Sequence, residues 1–220
     1  RVSCMRPCLK TIRDIAALGL SNFMMSITNS IVQVVCNSTL SLYGGDLYVG
    51  VMTVINSVRE IVSMPVSGIT NGSQPVISFN YGAEKYDRIK TAIRFMAVSC
   101  IAYTTAIWGI LHLFPVFFIH IFNTQADLVE AAVPSMQIYY FGFFMMSLQF
   151  SGQTVFTGLG KAKQAIFFSL LRKAVIVVPL TLILPHIADL GVNGVFLAEP
   201  ISNFIGGTAC FVTMLCIMWP

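Results

Sequence analysis

The stretch AIFFSLLRKAVIVVPLTLIL, from Ala165 to Leu184, carries only two charged side chains, those of Arg172 and Lys173. A membrane-spanning helix needs about 20 mostly apolar residues, and this stretch has that length. Two lysines lie just before it, whereas residues 186–193 after it contain no Lys or Arg. A basic flank on one side only is typical of a helix whose basic end faces the cytoplasm. The stretch therefore predicts a span that runs outwards from the cytoplasm.

The same alternation of basic and non-basic breaks continues along the rest of the chain. Apart from Arg59, the basic residues fall within residues 1–13, 85–94 and 161–173. Between these clusters lie polar breaks without Lys or Arg, at residues 43–46, 123–127 and 186–193. This pattern indicates a multi-pass protein of the plasma membrane, with its basic loops in the cytoplasm and the lipid bilayer as its surroundings.

The composition indicates the same class of protein. Hydrophobic residues make up 56% of the chain, charged residues 10%, and the mean hydropathy is +0.79. Soluble domains carry about 25% charged residues, and the apolar runs are too long for barrel strands. We therefore expect an all-α integral membrane protein, a single six-transmembrane-helix lobe over residues 1–220. The approximate spans are 15–42, 47–79, 89–114, 128–159, 165–184 and 192–219.

Several function classes are not supported by any motif. The chain has no phosphate-binding glycine loop, no HExxH motif and no nucleophile elbow, so we expect neither an enzyme nor catalytic residues. The net charge of +4 is explained by basic loops, so no nucleic-acid partner is predicted. Cysteine and histidine spacing predicts no metal site, and no cofactor is expected.

The second predicted span contains Arg59 and Glu60 near its middle, with Asn56 and Ser57 shortly before them. Ionisable groups at that depth are costly and indicate functional sites. Because adjacent helical residues point about 100° apart, each needs a partner from another helix. Two interpretations stay open: a structural ion pair that locks the bundle, or a carboxylate in a cavity that binds protons or cations. Arg172 has a similar predicted depth, which makes a contact between Glu60 and Arg172 possible.

Three further charged residues lie inside predicted spans. We expect Lys173 to extend to the inner interface, a behaviour known as snorkelling. For Arg172, snorkelling and buried pairing are equally open. Glu199 lies next to Pro200, whose missing N–H frees a carbonyl nearby, so it could form a proton or cation site. The preferred alternative is that Glu199 lies close to the outer surface and is hydrated.

Neutral polar residues form two further groups with i, i+4 spacing. Gln33 and Asn37 share one face of the first span, and Gln149 and Gln153 share one face of the fourth. Hydrogen bonding between helices is the preferred explanation, and contact with a substrate is the alternative. The complete set of candidates for a substrate or ion pathway is Gln33, Asn37, Asn56, Arg59, Glu60, Gln149, Gln153, Arg172 and Glu199.

The sequence becomes specific within and after the second span. MPVSGITNGSQP at Met64–Pro75 and SFNYGA at Ser78–Ala83 resemble the MP-x-G-x-x-x-G-x-QP and NYGA motifs of multidrug and toxin extrusion (MATE) transporters. The bacterial multidrug-exporter branch is most similar. Shorter agreements follow at Gly158–Ala162, Val178–Leu180 and Gly191–Val195, so the resemblance covers nearly the whole chain.

This resemblance implies twelve spans in two lobes, of which the chain looks like the C-terminal one. Because the chain begins at Arg1 without Met, we expect a piece of a longer protein whose N-terminal six-helix lobe is the missing partner. The resemblance also implies export of small, amphipathic organic cations in exchange for H⁺ or Na⁺. Some relatives use acidic residues on the first and fourth helices of this lobe, where this chain has only amides. Asn203 stands where many relatives have Asp.

Two other functions remain as alternatives. A flippase for lipid-linked precursors, or a polysaccharide exporter, would favour a strongly cationic cavity, and Arg59, Arg172 and Lys173 are too few to establish one. A non-transporting membrane scaffold would need neither kinked helices nor buried ions, and the sequence predicts both.

Overall fold

The computed structural model describes residues 9–187 and 190–218, and this part of the chain is almost entirely helical, with no strand. The predicted all-α class is confirmed. Residues 1–8, with the basic residues Arg1 and Arg6, lie outside the described part of the chain, and side chains are described from Phe23 onward except for Met24 and Met25.

Nine α-helices follow one another in the described part of the chain. They are α1 (Leu9–Gly82), α2 (Tyr86–Leu113), α3 (Pro115–His120), α4 (Ala126–Tyr140), α5 (Phe143–Gly158), α6 (Ala162–Leu170), α7 (Val178–Ile183), α8 (Val192–Ser202) and α9 (Thr208–Met218). A first π-helical segment, Leu171–Val177, joins α6 to α7, and a second, Asn203–Gly207, joins α8 to α9. A 3₁₀ turn, Leu184–His186, follows α7.

Helix α1 consists of two arms joined at Gly45, whose backbone has φ 67° and ψ −166°. Such a conformation is accessible to glycine because it lacks a Cβ atom. Asn56 Nδ2 donates a hydrogen bond to Gln33 Oε1 at 3.3 Å. These two residues lie at nearly equal sequence distances from Gly45, so the two arms run side by side in opposite directions. The bend lies in the turn predicted over residues 43–46.

Four helical stretches are long and apolar enough to cross a membrane within the described residues: Ser26–Gly82, Tyr86–Leu113, Ala162–His186 and Val192–Met218. The first contains 57 residues and includes most of both arms of α1. The predicted span 128–159 is divided into α4 and α5 at Phe141–Gly142, and each half alone is too short for a crossing. The chain is a multi-pass membrane protein, and six crossings remain the prediction.

Glycines bring the last helices close to α5. A Cβ atom added to Gly152 would lie 2.8 Å from Cys210 Sγ, and one added to Gly207 would lie 2.9 Å from the Met145 carbonyl oxygen. Small residues allow membrane helices to approach until their backbones touch. The second π segment and α9 therefore pack directly against α5.

Two apolar clusters form the core of the lobe. The first includes Leu40, Ile55 and Phe196, and the second includes Ile77 and Phe156. Phe150 packs against both clusters and also lines a large cavity. The cavity therefore opens where the two clusters meet.

Candidate functional site

A single buried carboxylate, that of Glu199, pairs with three cations. Its Oε1 atom lies 3.0 Å from Arg172 Nη1, 3.2 Å from Lys173 Nζ and 3.4 Å from Arg59 Nη1. Lys173 Nζ also lies 3.3 Å from Oε2. Exposure is only 6% for Glu199 and Arg172 and 7% for Lys173, whereas Arg59 is partly exposed. We call these four residues the Glu199 cluster.

The cluster joins three separate parts of the fold. Arg59 lies on the second arm of α1, Arg172 and Lys173 lie in the first π segment, and Glu199 lies in α8. π-Helical turns are often found at functional sites in helices. Burying a charge is very costly unless the charge is paired. Separating α1, the first π segment or α8 would leave a buried charge unpaired, so the cluster holds the three elements together.

The structure contradicts three interpretations of these charges that the sequence offered: a possible contact of Glu60 with Arg172, an interfacial Lys173 and a hydrated Glu199. Glu60 does not contact Arg172, whose carboxylate partner is Glu199 instead. Lys173 does not extend to the inner interface, because its ammonium group reaches Glu199 in the interior. Glu199 is buried rather than hydrated, since each cation near it removes part of the cost of burying its charge.

Arg172 is held on two further sides. Its Nη1 atom donates a 2.5 Å hydrogen bond to Asn203 Oδ1 in the second π segment. A Cβ atom added to Gly206 would lie 2.9 Å from Arg172 Cγ, so the glycine leaves room for the arginine stem. The Nε atom of Arg172 is buried and has no hydrogen-bond partner within the described part of the chain.

A cavity of about 780 Å³ lies beside the Glu199 cluster. Arg59, Arg172 and Lys173 line one part of it, and Met146 and Phe150 line another. A smaller cavity of about 90 Å³ continues to Glu199 and Tyr139. The combination of charged, polar and apolar walls suits an amphipathic molecule, because each part of such a molecule finds a matching surface.

Glu60 also lines the large cavity, but its side chain is exposed. Among the ion pairs of the described residues, none involves Glu60. Its neighbour Arg59 pairs with Glu199, so the two adjacent residues have different environments. The structural ion pair that the sequence left open is therefore formed by Arg59 and not by Glu60.

The amide candidates divide into two groups. Gln33 Nε2 donates to Asn37 Oδ1 at 3.4 Å, and Gln33 accepts from Asn56, so these three form a chain that we call the amide row. Gln33 and Asn56 line the large cavity, and Asn37 is not among its lining residues.

Gln149 and Gln153 on α5 are not among the residues lining the large cavity. Gln149 is buried, and its Oε1 atom has no hydrogen-bond partner in the described chain. Gln153 Nε2 lies 3.5 Å from the carbonyl oxygen of Ala165, a long bond to α6. Hydrogen bonding between helices, the preferred explanation, is found for Gln153 and for the Gln33–Asn56 pair.

Lys173, Asn29, Tyr139 and Asn203 belong to the site but were not among the sequence candidates. Asn29 precedes Gln33 by four residues, and Asn203 follows Glu199 by four, so helical periodicity was a signal for both. Tyr139 belongs to an aromatic run in which nothing distinguishes it from core residues.

The sequence profile of the MatE family matches residues 22–183 of the chain. The chain belongs to the MatE family. The resemblance to multidrug and toxin extrusion transporters, drawn from motifs in and after the second span, is thereby confirmed. MatE is a family of transporters, so membership points to part of a transporter rather than to an enzyme.

Individual MatE relatives agree with this assignment. The multidrug export protein MepA of Staphylococcus aureus is 22% identical over 175 residues, which cover 78% of this chain and 38% of MepA. A crystal structure of MATE in its bent conformation matches with a TM-score of 0.91 at 18% identity. The matched region covers 99% of this chain and 48% of the crystallised chain. A MOP-superfamily transporter from Pyrococcus furiosus has a TM-score of 0.92 at 18% identity, with coverage of 99% and 49%. The chain thus spans about half the length of these two solved structures and less than half the length of MepA.

Proposed function

We propose that this chain is the C-terminal lobe of a secondary active multidrug exporter in the plasma membrane. The observation that carries the proposal is the 780 Å³ cavity, which combines charged, amide and apolar walls in a MatE fold. The chain covers 48% of a MATE transporter of known structure, so a second six-helix lobe would complete the cavity. Alternating access between two such lobes is the general mechanism of repeat-built transporters.

The proposed substrates are small, amphipathic organic cations. Met146 and Phe150 offer the apolar surface, and flexible or aromatic side chains of this kind adapt to varied ligands. Glu60, exposed in the same cavity and without an ion pair among the described residues, offers a carboxylate for the positive charge. The driving force would be inward movement of H⁺ or Na⁺, and Glu60 is the carboxylate best placed to bind either ion.

Efflux of ethidium from liposomes under an imposed H⁺ or Na⁺ gradient tests this function. We expect efflux when the chain is reconstituted with its second lobe, and none when the chain is reconstituted alone. In the complete transporter, Glu60→Gln should strongly reduce efflux with little change in melting temperature, because no ion pair within the described chain is broken. Glu130→Gln, an exposed residue outside the cavity, is the matched control.

Coupled efflux by the chain alone would refute the proposal that it is half of a transporter. Normal efflux by the Glu60→Gln variant would remove Glu60 from the mechanism and leave the rest intact.

The proposed orientation places the basic loop 85–94 in the cytoplasm and residues 123–127 outside. Single cysteines at Glu84 and Gln125, in a background without other reactive cysteines, would be treated with an impermeant maleimide in intact cells. We expect labelling at Gln125 and not at Glu84, and the opposite result would invert the topology.

A further inference from the structure

The Glu199 cluster contains more positive than negative charge. Arg59, Arg172 and Lys173 surround the carboxylate of Glu199, and among the described residues no other acidic side chain lines the small cavity next to it. Among the described residues that line the large cavity, the one acidic side chain is that of the exposed Glu60. Cations in a membrane interior require counter-charges, because neither lipid nor apolar side chains solvate them. One carboxylate is insufficient for three cations.

The hydrogen bonds of Arg172 leave one edge of its guanidinium unused. Both bonds within the described chain start from Nη1, to Glu199 and to Asn203. The Nε atom is buried without a partner. In every arginine, Nε–H and one Nη–H form a fork that matches the two oxygens of a carboxylate or a phosphate. The unpaired Nε–H of Arg172 therefore adds to the positive charge of the cluster that Glu199 does not compensate, and an anion bound nearby would lower that cost.

Arg59 is the cation of the cluster that a ligand can reach. It has the longest contact to Glu199, 3.4 Å, and 30% of its side chain is exposed, compared with 8% for Arg172 and 9% for Lys173. It also lines both cavities. Because Glu199 keeps two closer cations, Arg59 can turn towards a ligand without leaving the carboxylate unpaired.

We propose that the Glu199 cluster binds a carboxylate or phosphate group of the transported compound, with Arg59 in direct contact and Arg172 and Lys173 providing the remaining positive charge. This inference rests on the proposed export function and narrows its substrate class. The preferred compounds are zwitterionic amphiphiles. Their cationic group lies towards Glu60, their anionic group towards Arg59, and their apolar body against Met146 and Phe150.

The test compares two dyes that differ only in the anionic group. Rhodamine B carries a free carboxylate and a delocalised cation, and its ethyl ester keeps the cation alone. Binding of each dye to the complete transporter in nanodiscs is followed by fluorescence anisotropy. We expect the unaltered protein to bind rhodamine B about tenfold more tightly than the ester, since hydrogen bonds to charged groups are worth that much.

Three variants locate the preference. Arg59→Gln should abolish it, and Arg59→Lys should keep part of it, because lysine retains the charge but lacks the fork. Arg94→Gln, which removes an exposed arginine outside both cavities, should leave the preference unchanged. Since Glu199 keeps Arg172 and Lys173, we expect all three variants to fold, and their binding of the ester verifies this.

Equal affinity of the unaltered protein for the two dyes would overturn the inference. This result is expected if an acidic side chain of the second lobe already neutralises the Glu199 cluster. A preference that survives Arg59→Gln would also overturn it. Neither outcome affects ethidium efflux, so failure of this inference is distinguishable from failure of the proposed function. To distinguish carboxylate from phosphate binding, the affinity of a rhodamine B ester that carries a phosphate group is compared with that of rhodamine B. Tighter binding of the phosphate ester would indicate that phosphate is the preferred anion.

Discussion

Gln33 and Asn56 of the amide row line the same large cavity as the three cations of the Glu199 cluster, but the two groups are held in different ways. The cluster is mostly buried, and its four charged side chains join α1, the first π segment and α8. The amide row of Gln33, Asn37 and Asn56 is only half-buried, and its bonds of 3.3 and 3.4 Å are long. A buried charge needs a fixed partner, whereas a half-buried amide can exchange its partner for water. The cluster therefore determines how the helices pack, and the amide row leaves the cavity adaptable.

The largest effect that this comparison predicts is that of Glu199→Gln. The substitution keeps the shape of the side chain but leaves three cations without their carboxylate. We expect the free energy of unfolding to fall by about 3–5 kcal/mol, the usual cost of breaking a buried ion pair. Thermal unfolding of the purified protein in detergent measures this loss, with Glu130→Gln on an exposed surface as the control. A loss no larger than that of the control would show that the cluster does not organise the fold.

An intermediate effect is expected for Gly206→Ala. The added Cβ atom would lie 2.9 Å from Arg172 Cγ, and the arginine cannot shift because its head group is bound to Glu199 and Asn203. Overpacking of this kind costs about 1–3 kcal/mol. In the same unfolding assay, Gly109→Ala in α2 should have no such cost, because nothing lies within 4 Å of its added Cβ atom. Equal stability of the two variants would contradict the tight packing of Arg172.

The smallest effect is expected for Asn37→Ala in the amide row. The substitution removes one hydrogen bond of 3.4 Å, and side-chain hydrogen bonds in membrane proteins contribute about 0.6 kcal/mol on average. The melting temperature should therefore change only slightly. If Asn37→Ala destabilised the protein as much as Glu199→Gln does, the amide row would be as rigid as the cluster, and the distinction between them would be lost.

The sequence alone was enough to predict an all-α membrane protein. Long apolar runs indicate contact with lipid, and clusters of basic residues indicate loops in water. Three of the four charged residues of the Glu199 cluster were also recognisable, since Arg59, Arg172 and Glu199 each interrupt an apolar run, whereas Lys173 was expected at the inner interface. Their pairing was not predictable. Glu60 and Arg172 have similar predicted depths in the membrane, which made a contact between them possible. Ion pairing also depends on the direction of each side chain, and Arg59 rather than Glu60 points inward.

The fold details that escaped prediction have a similar cause. The π segments place Arg172 next to Asn203, and no residue type in either segment distinguishes a π turn from an α turn in sequence. The division of the span 128–159 at Phe141–Gly142 was likewise not expected, because Gly142 is tolerated inside membrane helices.

A double-mutant cycle between Glu199 and Lys173 tests the central claim most directly, namely that Glu199 is the shared counter-charge of the buried cations. The free energy of unfolding would be measured for Glu199→Gln, Lys173→Met and the double variant. We predict that the double variant is more stable than Glu199→Gln alone, with a coupling of about 1–3 kcal/mol, because it removes a cation that has lost its carboxylate. Strictly additive losses would contradict the claim, since they would mean that Glu199 and Lys173 do not interact in the folded protein.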